Sequence, residues 1–487
     1  DFDLLYPSKQ DSLDPIIPKG TVYPAPKVNV QAPATADAVY LQNKGLLVMQ
    51  EEKPDRENGS NNWVAAGSKT KSGSPILCND PHLGLNLPSL WFEMQLSTPT
   101  FNAYGATFPG APSVIIGFND SCAWGVTNGG RDVRDYYEIK FKDDSRTEYW
   151  FDSAWKKTEF RIETIRVKDS ANYVDTVAYT VFGPVMYDKS FSGNRVVNNK
   201  YYAVRWKAHD PSKELLAFNM LNHAKNYNDY LAAVTNMHTP GQNFAFAAKN
   251  GDIAMRTQGD WPAKWKGQGD FIMPGTDSSY MWQGMIPQDE NPFQYNPERG
   301  FVSSANQKPA DSSYPYYLGR DYPPYRGFII NRKLTAVNGI TPKDMMAMQT
   351  NNYDVFAEMA RPIFLKNINE GALDAGEKKY LEILKTWDLN ILRDSSYKFL
   401  DNIETPQKET LADDVTTAFK SAAAKLKIVE VEGRLPWAAY KATRVNHLTK
   451  LEPFSRLNLP IGGGTHCINA TKENHGPSWR MIVSLTA

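Results

Sequence analysis

The sequence has 487 residues and a formal net charge of zero, with 54 Lys and Arg against 54 Asp and Glu. This balance argues against nucleic acid or an acidic membrane surface as a partner. No apolar run approaches the roughly 20 residues that cross a bilayer, and three cysteines without a CxxC pair support neither a zinc ribbon nor a disulfide framework. Many aromatic residues, 32 Pro and 32 Gly favour a globular fold rich in strands and loops.

Residues 1 to about 40 are rich in Pro and small polar residues and show little periodicity. Such a segment is typical of an extended linker, and we expect it to lie outside the core. Short apolar runs follow, separated by Gly, Pro, Asn or Asp: GLLVMQ, WVAAGS, SPILCND, SVIIGFN and AWGVTN. They predict strands joined by tight loops, and the runs that are apolar on both faces predict the centre of a covered sheet.

From 135 to 207 apolar and polar residues alternate, which predicts long hairpins with one solvated face. The period then changes, because Asp210 and Pro211 introduce two predicted helices over 213–237. Residues 242–261 return to a hairpin with Asn250-Gly251 at its turn. Later helices are predicted at 342–350, 353–367, 376–388 and 407–426. This order of strands and helices predicts class α+β, with layered sheets covered by helices.

Several common catalytic patterns are missing from the sequence. There is no Gly-x-Ser-x-Gly, no HExxH and no Gly-Lys-Ser/Thr loop. The glycine-rich stretch IGGGTHC at 461–467 lacks the lysine of a phosphate loop and is interpreted as a tight turn. The seven histidines show no metal-ligand spacing, so conventional hydrolase, metalloprotease and nucleotide sites are unsupported.

The stretch NGSNNWVAA at 58–66 allows three interpretations. It can be a loop before a strand, a glycan acceptor at Asn58, or a place where the chain is cut so that Ser60 becomes a new amino terminus. An Asn-x-Ser triplet is common by chance, so we discount the glycan. The local residues do not decide between the other two.

Four motifs with matching mutual spacing surround this stretch. They are Gly-Ser-Asn-x-Trp at 59–63, Asn-Asp-Pro-His-Leu at 79–83, Pro-Gly-x-Pro near 109–112 and Gly-x-Asn-x-x-x-Ala-Trp-Gly-x-Thr-Asn at 117–128. Together they resemble the start of the β-subunit of the penicillin acylase family of N-terminal nucleophile hydrolases. Further blocks at 259–309 and 475–485 extend the resemblance. It implies a four-layer αββα sandwich, with two stacked antiparallel sheets between helical layers.

The resemblance implies a precursor that cuts itself between Gly59 and Ser60. Residues 1–59 would be the end of an α-subunit and a spacer, and 60–487 a C-terminally truncated β-subunit whose partner is an α-subunit missing from this sequence. Ser60 would be the nucleophile, and its freed α-amino group, which titrates near pH 8, would be the base.

The resemblance also implies roles for other residues. The backbone N–H of Asn128 and the side-chain amide of Asn306 would donate to the oxyanion, and His82 would help to orient the serine and its amine. Arg326 falls near Asn306 and is a candidate for positioning it and for substrate binding. Leu83, Ile116 and Val126 would line the acyl pocket, and their aliphatic side chains permit an aliphatic acyl chain.

No cofactor is expected for the chemistry, but the resemblance implies a structural calcium. Its ligands would be the carboxylates of Asp132 and Asp135 and the backbone oxygen of Arg134, hard oxygen donors that suit this ion.

The expected function is therefore an amidohydrolase that cleaves a small N-acyl compound, such as a penicillin or cephalosporin side chain. An N-acyl-homoserine lactone acylase of the same family is the alternative. A hypothesis from another class is a secreted, aromatic-rich β-protein that binds glycans or a partner without catalysis. The resemblance implies a bacterial protein located in the periplasm or secreted.

Overall fold

The computed structural model describes residues 14–43, 59–130, 132–188, 200–319, 324–391 and 411–486. The helices in these ranges are α1 (Ala36–Asn43), α2 (Glu214–His223), α3 (Tyr227–Val234), α4 (Tyr325–Ala336), α5 (Pro342–Gln349), α6 (Val355–Asn367), α7 (Ala375–Thr386), α8 (Leu411–Val431) and α9 (Trp437–Lys441). The strands are β1 (Gly59–Ala65), β2 (Ile76–Gly84), β3 (Asn86–Leu87), β4 (Phe92–Ser97), β5 (Asn102–Thr107), β6 (Ile116–Asn119), β7 (Cys122–Asn128), β8 (Arg134–Ile139), β9 (Glu148–Phe151), β10 (Ala154–Lys157), β11 (Glu159–Ile165), β12 (Tyr173–Thr180), β13 (Gly183–Tyr187), β14 (Tyr201–Trp206), β15 (Gln242–Ala248), β16 (Ile253–Gln258), β17 (Met273–Pro274), β18 (Phe293–Tyr295), β19 (Phe301–Ser304), β20 (Thr443–His447), β21 (Arg456–Leu459), β22 (His475–Pro477) and β23 (Met481–Ser484).

Two antiparallel sheets form the centre of the molecule. The first has the strand order β19-β1-β2-β22, with β23 also paired to β2, and the second has the order β18-β16-β15-β7-β6-β5-β4. A third sheet, β11-β12-β13-β14-β8-β17, contains the predicted long hairpins. The sheets and the helices together confirm the predicted α+β class.

The first sheet is buried on both faces because its side chains alternate between two cores. Val64 and Leu77 belong to the apolar cluster that contains residues of β7, β15, α2 and α3. Trp63 and Cys78 point the other way and pack with α4, α5 and the start of α6. The order of layers is therefore helices α4–α6, first sheet, second sheet, helices α2–α3.

The predicted strands and helices compare well with the observed ones. The hairpin around Asn250-Gly251 forms from β15 and β16, and the two helices after Pro211 are α2 and α3. Helix α4 was missed, although Pro324 before it and apolar residues at 325, 329 and 330 are a helix signal. GLLVMQ at 45–50 and the start of the helix predicted at 407–426 lie outside the described residues.

The expectation that the first 40 residues lie outside the core is wrong. Ile16 and Ile17 are fully buried and belong to the apolar cluster that contains residues of both central sheets. Their backbone N–H groups donate to the carbonyls of Lys308 and Pro309, each at 2.9 Å. Pro-rich composition predicted the extended backbone, but two adjacent isoleucines are enough to bury such a segment.

We expect Ile17→Ala to lower the free energy of unfolding by about 2–5 kcal/mol, because it leaves a cavity in a closed core. Val22→Ala is the matched control: Val22 follows on the same segment and is 93% exposed, so its truncation changes stability by less than about 0.5 kcal/mol. Urea unfolding of both variants measures the difference. Equal midpoints would show that residues 14–22 do not pack against the core in solution.

Candidate active site

Ser60 lies at the start of β1 and is held through both its backbone and its side chain. Its N–H donates to Asn306 Oδ1 at 2.6 Å, and its hydroxyl donates to the carbonyl oxygen of Gly59, also at 2.6 Å. The residue is buried. The hydroxyl is therefore next to the peptide bond that precedes it.

Asn306 follows β19 and connects Ser60 with Asn128. Its φ of +66° is left-handed, a conformation that asparagine tolerates better than most residues. Its Nδ2 donates to the Asn128 carbonyl at 3.0 Å, and that carbonyl also accepts from Asn243 Nδ2 at 3.1 Å. The structure thus brings together the two residues that the sequence analysis assigned to the oxyanion.

Arg326, in the first turn of α4, is buried against the first peptide of β1. Its Nη1 donates to the Ser60 carbonyl at 2.9 Å and to Asn61 Oδ1 at 2.6 Å, and its Nη2 donates to Asn306 Oδ1 at 2.9 Å. Burial lowers the pKa of Arg326 to about 10, so the guanidinium stays charged at neutral pH. These contacts fit the positioning role better than substrate binding.

Gly59 has no room for a side chain. A Cβ at this position would lie 2.3 Å from Arg326 Nη2 and 2.8 Å from Asn306 Oδ1. The glycine therefore permits the guanidinium and the amide to approach the bond before Ser60, which is a close approach that only glycine allows.

His82 faces away from the Ser60 side chain. It pairs with Gly59 across β1 and β2, so its ring lies on the face of Asn61, whereas the Ser60 side chain points to the opposite face. His82 Nε2 lies 3.1 Å from Asp80 Oδ2 and 3.3 Å from Asn61 Nδ2. In the structure His82 connects to the Ser60 backbone through Asn61 and Arg326.

A buried carboxylate beside His82 was not identified from the sequence. Asp80 is fully buried, and Arg480 Nε lies 3.5 Å from its Oδ1. Burial lowers the pKa of His82, and the nearby Arg326 and Arg480 lower it further, although Asp80 opposes them. The imidazole is therefore neutral at pH 7. Because Asp80 lies two residues before His82 on one strand, the sequence could have indicated that their side chains share a face. The approach of Arg480 depends on the tertiary fold.

The three predicted pocket residues lie in one apolar cluster. Ile116 is fully buried, and Leu83 and Val126 are partly buried against the same cluster. Leu83 and Val126 are thus the two that retain exposed surface.

A calcium ion does not fit the residues predicted to bind it. Lys264 Nζ lies 2.8 Å from Asp132 Oδ2 and 2.9 Å from Asp135 Oδ1, so an ammonium already bridges the two carboxylates. The third predicted ligand was the backbone oxygen of Arg134. The guanidinium of this residue lies over the rings of Tyr136 and Trp206. No group of three or more His, Cys, Asp or Glu that could hold a metal occurs among the residues the structure describes.

Comparisons with known proteins show which family and relatives the chain resembles. A family described as penicillin amidase matches residues 4–400 and 389–487. The chain is 27% identical over 313 residues to an acyl-homoserine lactone acylase QuiP of Pseudomonas aeruginosa, covering 63% of this chain and 37% of that protein. It is 26% identical to a penicillin acylase 2 proenzyme of Pseudomonas sp. strain SE83, covering 68% of this chain and 42% of that protein. The chain spans less than half the length of these curated relatives.

A solved structure shows the same fold. The thermostable penicillin G acylase from Alcaligenes faecalis superposes with a TM-score of 0.62 at 21% identity, over 77% of this chain and 80% of that chain. The predicted N-terminal nucleophile hydrolase fold is thereby confirmed. No helix among the described residues is long and apolar enough to cross a membrane.

We expect Arg326→Met to destabilise the protein by roughly 2–4 kcal/mol, because the buried Ser60 carbonyl and Asn61 Oδ1 lose the guanidinium as donor and Asn306 Oδ1 keeps only the Ser60 N–H. Arg332→Met is the control on the same helix: Arg332 pairs with Glu358 at 3.0 Å at the surface, and loss of an exposed pair costs less than about 1 kcal/mol. Both changes are made in a Ser60→Ala background, so that cleavage before Ser60 cannot differ between them. Denaturant midpoints that coincide would contradict the anchoring role of Arg326.

Proposed function

The chain belongs to the penicillin amidase family, and we propose that it is an amidohydrolase of N-acyl compounds with Ser60 as its nucleophile. The observation that carries the proposal is the position of Ser60 Oγ, hydrogen-bonded to the Gly59 carbonyl at 2.6 Å. A strand-start serine needs no such contact with the preceding peptide.

The first reaction would be cleavage of the chain itself. Ser60 Oγ attacks the Gly59 carbonyl carbon and loses its proton, and the C–N bond to Ser60 breaks as the nitrogen takes up a proton. This converts the amide to an ester and frees the Ser60 amine, and water then hydrolyses the ester to a Gly59 carboxylate and the Ser60 hydroxyl. Residues 1–59 would then be separated from 60–487.

Cleavage would create the base that acyl transfer needs. Before it, the Ser60 nitrogen is an amide and cannot accept a proton from the hydroxyl. After it, the α-amine is adjacent to its own hydroxyl and titrates near neutral pH. The side chain of His82 need not reach Ser60 in this scheme, which agrees with its place on the other face of the sheet.

The oxyanion would be stabilised by Asn306 and by the Asn128 N–H. Asn306 Oδ1 accepts from Ser60 and Arg326, which orients the NH₂ group toward Asn128. One N–H of that group donates to the Asn128 carbonyl, and we assign the other to the oxyanion. A preorganised donor of this kind contributes about 3 kcal/mol to the transition state.

We propose a small N-acyl substrate with an aliphatic acyl chain. The supporting observations are the aliphatic Leu83 and Val126 at the partly exposed edge of the core and the relatives named as acyl-homoserine lactone acylases. A penicillin or cephalosporin side chain is the other member of this substrate class, since other relatives are named penicillin acylases. A bacterial protein of the periplasm or the exterior, with an α-subunit as partner, completes the proposal.

We expect the wild-type protein to yield a chain that begins Ser-Asn-Asn-Trp, whereas Ser60→Ala remains in one piece because no hydroxyl can attack Gly59. Intact mass and N-terminal sequencing measure both. Ser72→Ala, in the exposed loop after β1, is the control and should be cut like the wild type. If both the wild-type chain and Ser72→Ala remain uncut, the result would favour a non-catalytic binding protein.

We expect Val126→Phe to reduce kcat/KM for long straight-chain acyl amides by about 10-fold relative to short ones. The larger side chain would fill space that one or more methylene groups of a long acyl chain need. The control is Val22→Phe at an exposed position, which should leave the ratio unchanged. The measurement is hydrolysis of a series of straight-chain amides beside the phenylacetyl amide. An unchanged chain-length profile would remove Val126 from the acyl pocket.

A further inference from the structure

We infer that the Lys264 ammonium is a built-in replacement for a divalent cation: it bridges Asp132 and Asp135 and makes this region of the fold independent of calcium. Lys264 lies between β16 and β17, whereas Asp132 precedes β8 and Asp135 is its second residue. The lysine therefore connects two segments that are far apart in the sequence.

The geometry is that of an ion pair with two carboxylates at once. The Nζ–O distances of 2.8 and 2.9 Å are those of charge-assisted hydrogen bonds. The side chains of Lys264 and Asp135 are buried, and that of Asp132 is partly exposed. Because a lone buried charge is unfavourable, the pairing is required for either group to stay charged in this place.

The second oxygen of Asp135 is also occupied. The indole N–H of Trp282 donates to Asp135 Oδ2, so neither oxygen of this carboxylate is left without a donor. The Trp282 ring lies 5.8 Å from Lys264 Nζ and 4.7 Å from the Arg205 guanidinium carbon. A calcium ion bound here beside Lys264 would meet a fixed ammonium and only two carboxylates, whereas such sites use six to eight oxygens.

The backbone is closely packed over the pair. Gly269 has a φ of +88°, and a Cβ on it would lie 2.2 Å from Asp135 Oδ1 and 3.0 Å from Lys264 Nζ. The turn at Gly269 thus leaves room for an ammonium and its hydrogen bonds but not for a hydrated metal ion in addition.

The position of the pair explains what it stabilises. Asp132 lies in the connection from β7, which ends at Asn128, to β8. β8 in turn pairs with β14 and β17 of the third sheet. The lysine therefore ties the chain after Asn128 to the segment that carries β17, the task that a structural cation would otherwise perform.

The test is thermal unfolding of the full chain in chelator, in calcium and in magnesium. We expect the wild-type Tm to agree within about 1 °C in all three, because no divalent ion binds preferentially to the folded state. Lys264→Ala should lower the Tm by roughly 5 °C in chelator. Calcium should restore much of that loss and magnesium should not, since removal of the ammonium leaves two carboxylates without their cation and frees space for the water that completes calcium coordination, which is more flexible than that of magnesium.

Two variants make the result specific. Lys264→Met fills the cavity with an uncharged chain and should lose stability without responding to calcium. Lys207→Ala is the matched control, because Lys207 also bridges two aspartates, Asp210 at 3.2 Å and Asp260 at 3.1 Å. Each of those keeps another basic partner, Arg205 and His238, so this variant should not respond to calcium.

Two results would overturn the inference. One is a wild-type protein whose Tm falls in chelator and recovers in calcium, which would show that a metal binds despite Lys264. The other is a folded Lys264→Ala whose Tm responds to calcium no more than that of Lys207→Ala. If Lys264→Ala does not fold, the wild-type comparison alone still decides whether the region needs calcium.

Discussion

The buried guanidinium of Arg326 is the contact on which the arrangement around Ser60 depends. A charge in a closed interior is stable only when its hydrogen bonds are satisfied, and Arg326 satisfies them with oxygens of Ser60, Asn61 and Asn306. The same bonds hold the Ser60 carbonyl and the side-chain oxygen of Asn306 in place. Helix α4 therefore determines where the hydroxyl and the amide lie relative to each other.

Successive side chains of β1 point to opposite faces of the first sheet, and this divides the polar residues of the region into two groups. Residues 60 and 62 face the second sheet, where Asn62 Nδ2 donates to the carbonyls of Gly125 and Asn243. Residues 61 and 63 face the helices, and Asp80 and His82 join them there. The Ser60 side chain and the polar network with His82 thus lie on opposite faces of the first sheet. Arg326 contacts both sides, since it bonds to a backbone carbonyl as well as to side chains.

The sequence predicted those parts of the site that depend on local pattern and shared motifs. Ser60, Asn128 and Asn306 are brought together as expected, and period-two alternation predicted the central strands. What it missed depends on contacts between distant segments. Nothing near Ile17 indicates that residues 308 and 309 will pair with it, and the spacing of Asp132 and Asp135 is the same whether a metal or a lysine more than a hundred residues away lies between them. Motif spacing likewise does not indicate which face of a strand a side chain occupies, so the place of His82 on the face opposite the Ser60 side chain could not be predicted from it.

Gly59 shows how packing at this site serves one bond rather than general stability. A residue with a Cβ would push Arg326 and Asn306 away, yet most β-strand positions favour larger side chains. Glycine weakens a strand through its backbone entropy, and it is retained here where a guanidinium and an amide both approach the peptide before Ser60. Under the proposed cleavage of this peptide, Gly59 would leave the position that Arg326 and Asn306 now surround, and the volume beside the new Ser60 amine would open.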